Sequence, residues 1–340
     1  MMRWPRPVLR PPPFWYRPPG MAARLLGPVA RAYGDAVAER MARPGGRVSA
    51  PVLCVGNFTV GGAGKTPLAL AIAGMLLEAG EQPIFLTRGY GGDEHGPVLV
   101  SPDDGADRVG DEALLLAECA PTIVAADRLA GAILACQSGA SIVVMDDGFQ
   151  NPALVKDCSI VAVDGETGIG NGLALPAGPL RAPVHAQMPF ASAVVVIGAG
   201  DPGARVADFA RESGRAVFHA RVGPEPSAPG LRGKRVLAFA GIGRPEKFFK
   251  TLADLGAIIA ATEVFPDHHR FSEADALRIA GRARGGKLVP VTTAKDMVRL
   301  AGGPARDALA SISRVVPVRL TFEDGQAVRR FLAKMLNVSF

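Results

Sequence analysis

From residue 51 onward, short unbroken apolar runs alternate with longer segments whose apolar residues recur every three or four positions. The runs 51–55, 83–87, 122–125, 142–145, 159–163 and 193–197 are rich in β-branched residues and lack polar alternation. That is the pattern of strands covered on both faces. Residues 66–78 and 110–119 read as helices between them. Strands and helices in alternation imply right-handed crossovers and a doubly wound, mostly parallel α/β sheet. The stretch 223–230, crowded with proline and glycine, breaks the pattern. Beyond it, strands at 235–240, 257–264, 288–291 and 315–320 predict a second, smaller α/β unit. Its helices are expected at 246–255 and from Ser272, with Asp275 three residues later, to about Arg284. The expected division is an arm over 1–47, a core over 48–225 and a smaller C-terminal domain over 226–340.

The arm differs from the rest in charge. It carries Arg3, Arg6, Arg10, Arg17, Arg24, Arg31, Arg40, Arg43 and Arg47 against Asp35 and Glu39, which leaves the remainder of a +6 chain close to neutral. Such a segment is suited to an anionic surface. Trp4, Phe14, Trp15 and Tyr16 precede a helical stripe of Leu26, Val29, Tyr33, Val37 and Met41. An aromatic cluster before an amphipathic helix has the composition of an interfacial anchor; a helix packed on the body has the same period. No run approaches the roughly 18–20 apolar residues that span a bilayer. The proline- and arginine-rich start lacks the apolar stretch of a signal peptide. The expectation is peripheral attachment from the cytoplasmic side. No nucleic-acid-binding module is recognisable, and no obligate protein partner is evident. Cys54, Cys119, Cys136 and Cys158 have no metal-type or paired spacing and read as reduced core thiols.

The chemistry concentrates at strand ends. Thr59-Val60-Gly61-Gly62-Ala63-Gly64-Lys65-Thr66 stands between a predicted strand and a predicted helix, where a phosphate loop belongs. Glycines let backbone N–H groups wrap phosphates, and the helix N-terminus adds partial positive charge. Lys65 is placed for the β- and γ-phosphates of ATP and the Thr66 hydroxyl for Mg²⁺. Thr59 stands where the strict pattern has glycine. Asp146-Asp147-Gly148-Phe149-Gln150 ends the apolar run 142–145, where acidic groups hold Mg²⁺ in proteins of this kind; alone they would also suit a solvated turn. Arg88 among glycines suits an anion but by itself is an ordinary turn. Gly110-Asp111-Glu112 places a carboxylate in the first turn of a helix, which by itself reads first as a cap. Of the adjacent His268 and His269, at most one faces a site from an extended segment.

Taken in order, Gly56-Asn57, the loop 59–66 with Pro67, Arg88-Gly89-Tyr90-Gly91-Gly92, Val109-Gly110-Asp111-Glu112, Asp146 to Gln150, Gly170-Asn171-Gly172, Leu175 to Arg181, Ala240 to Pro245 and Phe265 to His268 resemble the tetraacyldisaccharide 4′-kinase family. The resemblance implies a P-loop core, ATP and Mg²⁺ as cofactors, and an anionic glycolipid acceptor, a tetraacylated glucosamine disaccharide 1-phosphate. It also implies Asp146 and Asp147 as metal-site carboxylates, Asp111 with His268 as the pair that deprotonates the acceptor, and Arg181 as an active-site arginine. Ala182, Asn151 and Ala294 differ from the Glu, His and Glu usual at those positions. The competing reading of the Gly-Gly-x-Gly-Lys-Thr loop is a partition- or metal-insertion-type ATPase or GTPase switch. Val60, where many such switches have lysine, argues against it.

Overall fold

A computed structural model of the chain describes residues 11–228 and 230–340; Trp4, Arg3, Arg6 and Arg10 of the arm lie outside them. Strands β1 (Val52–Asn57), β2 (Pro83–Thr87), β3 (Val98–Leu99), β4 (Thr122–Val124), β5 (Ile142–Asp146), β6 (Cys158–Asp164), β7 (Ala193–Ile197) and β8 (Ala216–Pro224) belong to one sheet. β1, β2, β5, β6 and β7 are buried along their whole length, as the unbroken apolar runs require. A second sheet holds β9 (Arg235–Ala240), β10 (Ile258–Val264), β11 (Val289–Thr292) and β12 (Arg314–Val315) in the order β10-β9-β11-β12. β13 (Val318–Phe322) then returns to the first sheet, whose order is β13-β8-β7-β6-β1-β5-β2-β4-β3.

This return corrects two expectations. Residues 315–320 are not one strand of the smaller unit: Arg314–Val315 stay there and Val318–Phe322 edge the large sheet. The compact units are therefore residues 14–223 with 318–340, and residues 224–317, so the C-terminal segment leaves the expected domain 226–340. Packing explains it. Val328, Leu332 and Leu336 form one apolar face of the helix Gly325–Leu336 and join the core around Leu68, Ile72 and Leu76. Helices Arg128–Gln137 and Asp201–Glu212 also escaped the sequence reading. Both are alanine-rich and carry too few large apolar residues for a clear period.

β1 pairs in parallel with β5 on one side and β6 on the other, and later strands build outward from each. The carboxyl ends flanking β1 are thus at a topological switch point, where doubly wound sheets leave a crevice. Cys54 and Cys158 lie in these strands, and burial pushes their thiols up to about 11 and about 12, out of reach of ordinary thiolate chemistry.

The arm helix, Met21–Met41, does not present its predicted stripe as one face. Val37 and Met41 are buried in the core, whereas Val29 and Tyr33 are exposed. Each step of four residues turns about 40° around a helix, so a four-residue ladder drifts from one side to the other. The buried face is built from small residues, Ala23, Ala30 and Gly34, before Val37 and Met41. Trp15 is also packed, its Nε1–H donating to the Pro176 carbonyl at 3.0 Å. What remains outward is a ridge of Met21, Leu25, Val29 and Tyr33, with Tyr16 ahead of it.

In the smaller unit the helix Glu273–Gly286 opens with a capping box: Ser272 Oγ accepts from the Asp275 amide and Asp275 accepts from the Ser272 amide. Partial burial works against the Asp275 carboxylate, yet Ser272, Arg278 and His269 hold it well below the usual carboxylate range. Ser272→Ala should cost about 1 kcal/mol, read as a lower thermal midpoint. Because the folded carboxyl titrates below the unfolded one, the share owed to Asp275 is present above about pH 4 and lost as pH falls further. The gap between variant and wild type should narrow on acidification through that range.

Candidate active site

β1 and the segment after β5 approach so closely that a Cβ at Gly56 would lie 2.3 Å from Phe149 Cβ. The contact aligns the two strand ends: Val55 pairs with Asp146, and the Asp147 amide donates to the Val55 carbonyl at 2.9 Å. From Asn57 the chain turns through the loop 59–64. Asn57 Nδ2 donates to the Gly61 carbonyl at 3.2 Å, and the Val60 amide to the Pro179 carbonyl at 2.8 Å. Gly64 caps the helix Lys65–Glu78 at φ +85°, and a Cβ there would meet Ile197 at 2.8 Å. A left-handed residue hard against a neighbour is a glycine position on both counts. The first-turn amides beyond it have no intrahelical acceptor, the arrangement that receives anions.

Three charges converge beside this loop. Asp147 Oδ2 lies 3.5 Å from Lys65 Nζ and accepts from Arg181 Nη2 at 3.1 Å. Arg181 also donates from Nε to the Thr59 carbonyl at 3.2 Å and from Nη1 to Gln150 Oε1 at 3.2 Å. Gln150 is fixed in turn, its Nε2 donating to the Asn57 carbonyl at 2.7 Å and to Gln187 Oε1 at 2.9 Å. Arg181 is therefore oriented by the loop backbone and by a buried amide chain. Burial would raise the Asp147 carboxyl, but Lys65 and Arg181 outweigh it and hold it below its ordinary value. Its backbone sits in the left-handed region at φ 52°, and its Oδ1 is buried without a hydrogen-bond donor.

Thr66, 5% exposed, donates from Oγ1 toward Glu112 Oε1 at 3.4 Å. Asp111 is buried and its Oδ1 accepts from the Glu112 amide at 2.9 Å. The helix Asp111–Ala117 and the phosphate loop are thereby side by side. Thr66, Asp146, Asp147 and Glu112 each bring a hard oxygen donor, the kind Mg²⁺ takes, to the helix and strand ends beside the loop. The donorless Asp147 Oδ1 fits that use. Among the described residues no group of three or more His, Cys, Asp or Glu is placed to hold a metal ion by itself.

Four participants were missed as site residues. Glu112, Gln150 and Gln187 place others, and Arg128 is a cation buried to 3% exposure at the start of its helix. Burial, and then the like charge of Arg88, lower the Arg128 pKa, while Asp147 and Asp146 counteract them. Glu112 and Gln150 stood inside noted motifs; Gln187 and Arg128 had no motif to mark them. Of the departures, Ala182 is fully buried with its carbonyl accepting from Gln187 Nε2 at 2.6 Å, and Asn151 Oδ1 accepts from the Ala153 amide at 2.8 Å.

His268 belongs to the smaller unit, after β10. Its backbone is left-handed at φ 56°, and its amide donates to the Gly241 carbonyl and to Asp267 Oδ1, both at 3.1 Å. His269 is occupied structurally: it stacks on Phe265 with centroids 4.7 Å apart and bonds Asp275 at 3.1 Å.

A family model described as tetraacyldisaccharide-1-P 4′-kinase matches residues 22–337. A tetraacyldisaccharide 4′-kinase of Methylobacterium nodulans is 54% identical over 94% of this chain and 94% of its own length. One from Rhodopseudomonas palustris is 48% identical over 97% and 96%. A crystal structure of LpxK from Aquifex aeolicus in complex with ATP superposes with a TM-score of 0.72 at 24% identity, covering 93% of this chain and all of that one. At that identity the superposition speaks for the fold.

Lys65→Ala should preserve the thermal midpoint, since Arg181 still partners Asp147. Nucleotide turnover should fall by on the order of 10²–10³-fold, as when one charge-stabilising donor is removed from a transition state. Near-wild-type turnover in the folded variant would show that the loop is not the reaction centre.

Proposed function

Because the chain belongs to the tetraacyldisaccharide-1-P 4′-kinase family, we propose that it transfers the γ-phosphoryl group of ATP to the 4′-hydroxyl of a tetraacylated glucosamine disaccharide 1-phosphate, a lipid A precursor. The observation that carries the reading is the phosphate loop whose Lys65 shares the Asp147 carboxylate with Arg181. The switch ATPase or GTPase alternative draws no support from the family match.

Lys65, the loop 59–66 and the first-turn amides hold the phosphates and oppose the negative charge of the transferring group. Arg181, aimed by Thr59 and Gln150, supplies a second fixed cation. Thr66, Asp146 and Asp147, with Glu112 beside Thr66, would hold Mg²⁺, which would supply positive charge against the phosphates. Asp111 takes the acceptor proton and His268 assists it, a contribution of roughly 10²–10⁴-fold for a positioned base.

The acceptor is a lipid, and the arm suits a lipid surface. Met21 and Leu25 are 79% and 75% exposed, and Val29 and Tyr33 continue the ridge. Arg17, Arg24, Arg31 and Arg40 stand on the same segment, each arginine near an anionic surface contributing about 1 kcal/mol. Among the described residues no helix is long and apolar enough to cross a membrane. The proposed location is the cytoplasmic face of the inner membrane, held peripherally. A hollow of about 310 Å³ lined by Ile169, Val184, Pro202, Val206 and Phe209 offers apolar surface in the unit that carries the arm.

Incubation with γ-labelled ATP and a tetraacyl disaccharide 1-phosphate should yield a lipid labelled at the 4′ position; ATP turnover with no labelled lipid would overturn the acceptor. Leu25→Asp with Val29→Asp should weaken binding to anionic vesicles at least tenfold while leaving the thermal midpoint unchanged. Equal vesicle binding would reduce the arm to a packing element. For the proton-accepting pair, Asp111→Asn and His268→Ala should lower kcat by similar factors, and the double variant should be little worse than either. Additive losses would show that the two residues do not act together.

A further inference from the structure

The geometry points to Arg299 as a positioning residue that fixes the imidazole of His268 in one tautomer, with the proton on Nε2 and the Nδ1 lone pair turned to the guanidinium. This rests on the reading of His268 as the partner of the acceptor base, and it adds what makes that histidine serviceable.

Arg299 Nη2 lies 3.5 Å from His268 Nδ1. A guanidinium has donors and no acceptor and stays charged at any working pH. The ring nitrogen facing it must therefore be the acceptor, which leaves the single hydrogen of neutral imidazole on Nε2. Asp267 is consistent with this polarity, its Oδ1 standing 3.9 Å from Nε2 rather than beside Nδ1. His268 so held presents an N–H donor. It can steady a carboxylate base, whereas taking a proton on Nδ1 would require displacing the arginine.

The arginine is itself held from every side. Its side chain is 4% exposed, and its Nη1 donates to the Gly241 carbonyl at 2.7 Å and to Asp296 Oδ1 at 3.0 Å. Asp296 is fully buried and accepts from the Gly241 amide at 2.9 Å and from Thr293 Oγ1 at 2.6 Å. The Gly241 carbonyl that receives Arg299 also receives the His268 amide at 3.1 Å. One guanidinium thus grips both the ring of His268 and the backbone group to which His268 is anchored. A buried ion pair contributes little net stability against well-packed apolar residues. Its use here is orientation, and the left-handed backbone of His268 is the strain that this orientation supports. The same network gives the Thr293-to-Asp296 segment a purpose that its sequence did not declare.

Nitrogen-15 NMR of histidine-labelled full-length protein reads the tautomer directly and needs no variant. The expected result is an unprotonated Nδ1 and a protonated Nε2 on His268; the opposite tautomer in the wild type overturns the proposal. Arg299→Met should release the ring to a mixture of tautomers and lower kcat on the order of ten- to hundredfold, the scale seen when the partner that orients a metal-ligating histidine is lost. The KM for ATP should be unchanged, because the phosphate loop lies in the other unit. Arg299→Lys keeps the charge but cannot reach three acceptors with one nitrogen, so it should restore stability more than kcat. A folded Arg299→Met or Arg299→Lys enzyme with one tautomer and wild-type kcat would overturn the proposal. If His268→Ala proves fully active, the base assignment fails while the wild-type tautomer still decides the role of Arg299.

Discussion

One carboxylate between two cations organises the larger unit. Asp147 sits at the carboxyl end of β5, where β1 and β5 converge, and meets Lys65 from the phosphate loop and Arg181 from a distant loop. None of the three charges is well solvated, so each depends on the others for its position. Phosphate oxygens arriving at the loop would give Lys65 a second anionic partner, and a divalent cation would give Asp147 a third positive one. The site is thus held in order by the same charges that a bound nucleotide would engage. Preorganisation of this kind lets charge be stabilised without rearrangement at the moment of transfer.

The cluster depends in turn on features with no charge. Gly56 allows β1 to pass Phe149, and that contact sets the height of Asp147 against the loop. Gln150 and Gln187, both buried, carry the orientation of Arg181 back to the carbonyls of Asn57, Phe58 and Ala182. Each buried amide has its partners, as a polar network in a core requires. Ala182 fits the same logic: its side chain is in the packed core and only its carbonyl takes part.

The arm helix presents two faces of different composition. Small residues let the helix Met21–Met41 lie close to the body, with Gly34 where a Cβ would come 3.0 Å from Pro183 and 3.1 Å from Ala174. Its large apolar residues, left without room on that side, point outward as a ridge. The packed-helix reading of its periodicity holds for the buried face, and the proposed anchor rests on the exposed ridge.

The fully buried strands, the phosphate loop, the acidic pair at the end of β5 and the existence of a second α/β unit were legible in the sequence, whereas β3, β8 and β13 were not. The former depend on local pattern: unbroken apolar runs, glycines at forced turns and a helix beginning at Lys65. The family resemblance was legible for the same reason, being carried by short motifs in order. Only the tertiary structure decided which side chains meet. Arg181 reaches Asp147 across 34 positions, and Arg299 reaches His268 across 31, through contacts that no periodicity encodes. It also decided that residues 318–340 belong with the larger sheet, because the burial of Val328, Leu332 and Leu336 is won against Leu68, Ile72 and Leu76, far away in the chain. Local pattern specifies elements, and the non-local contacts that make a site are fixed by which apolar faces can be covered together.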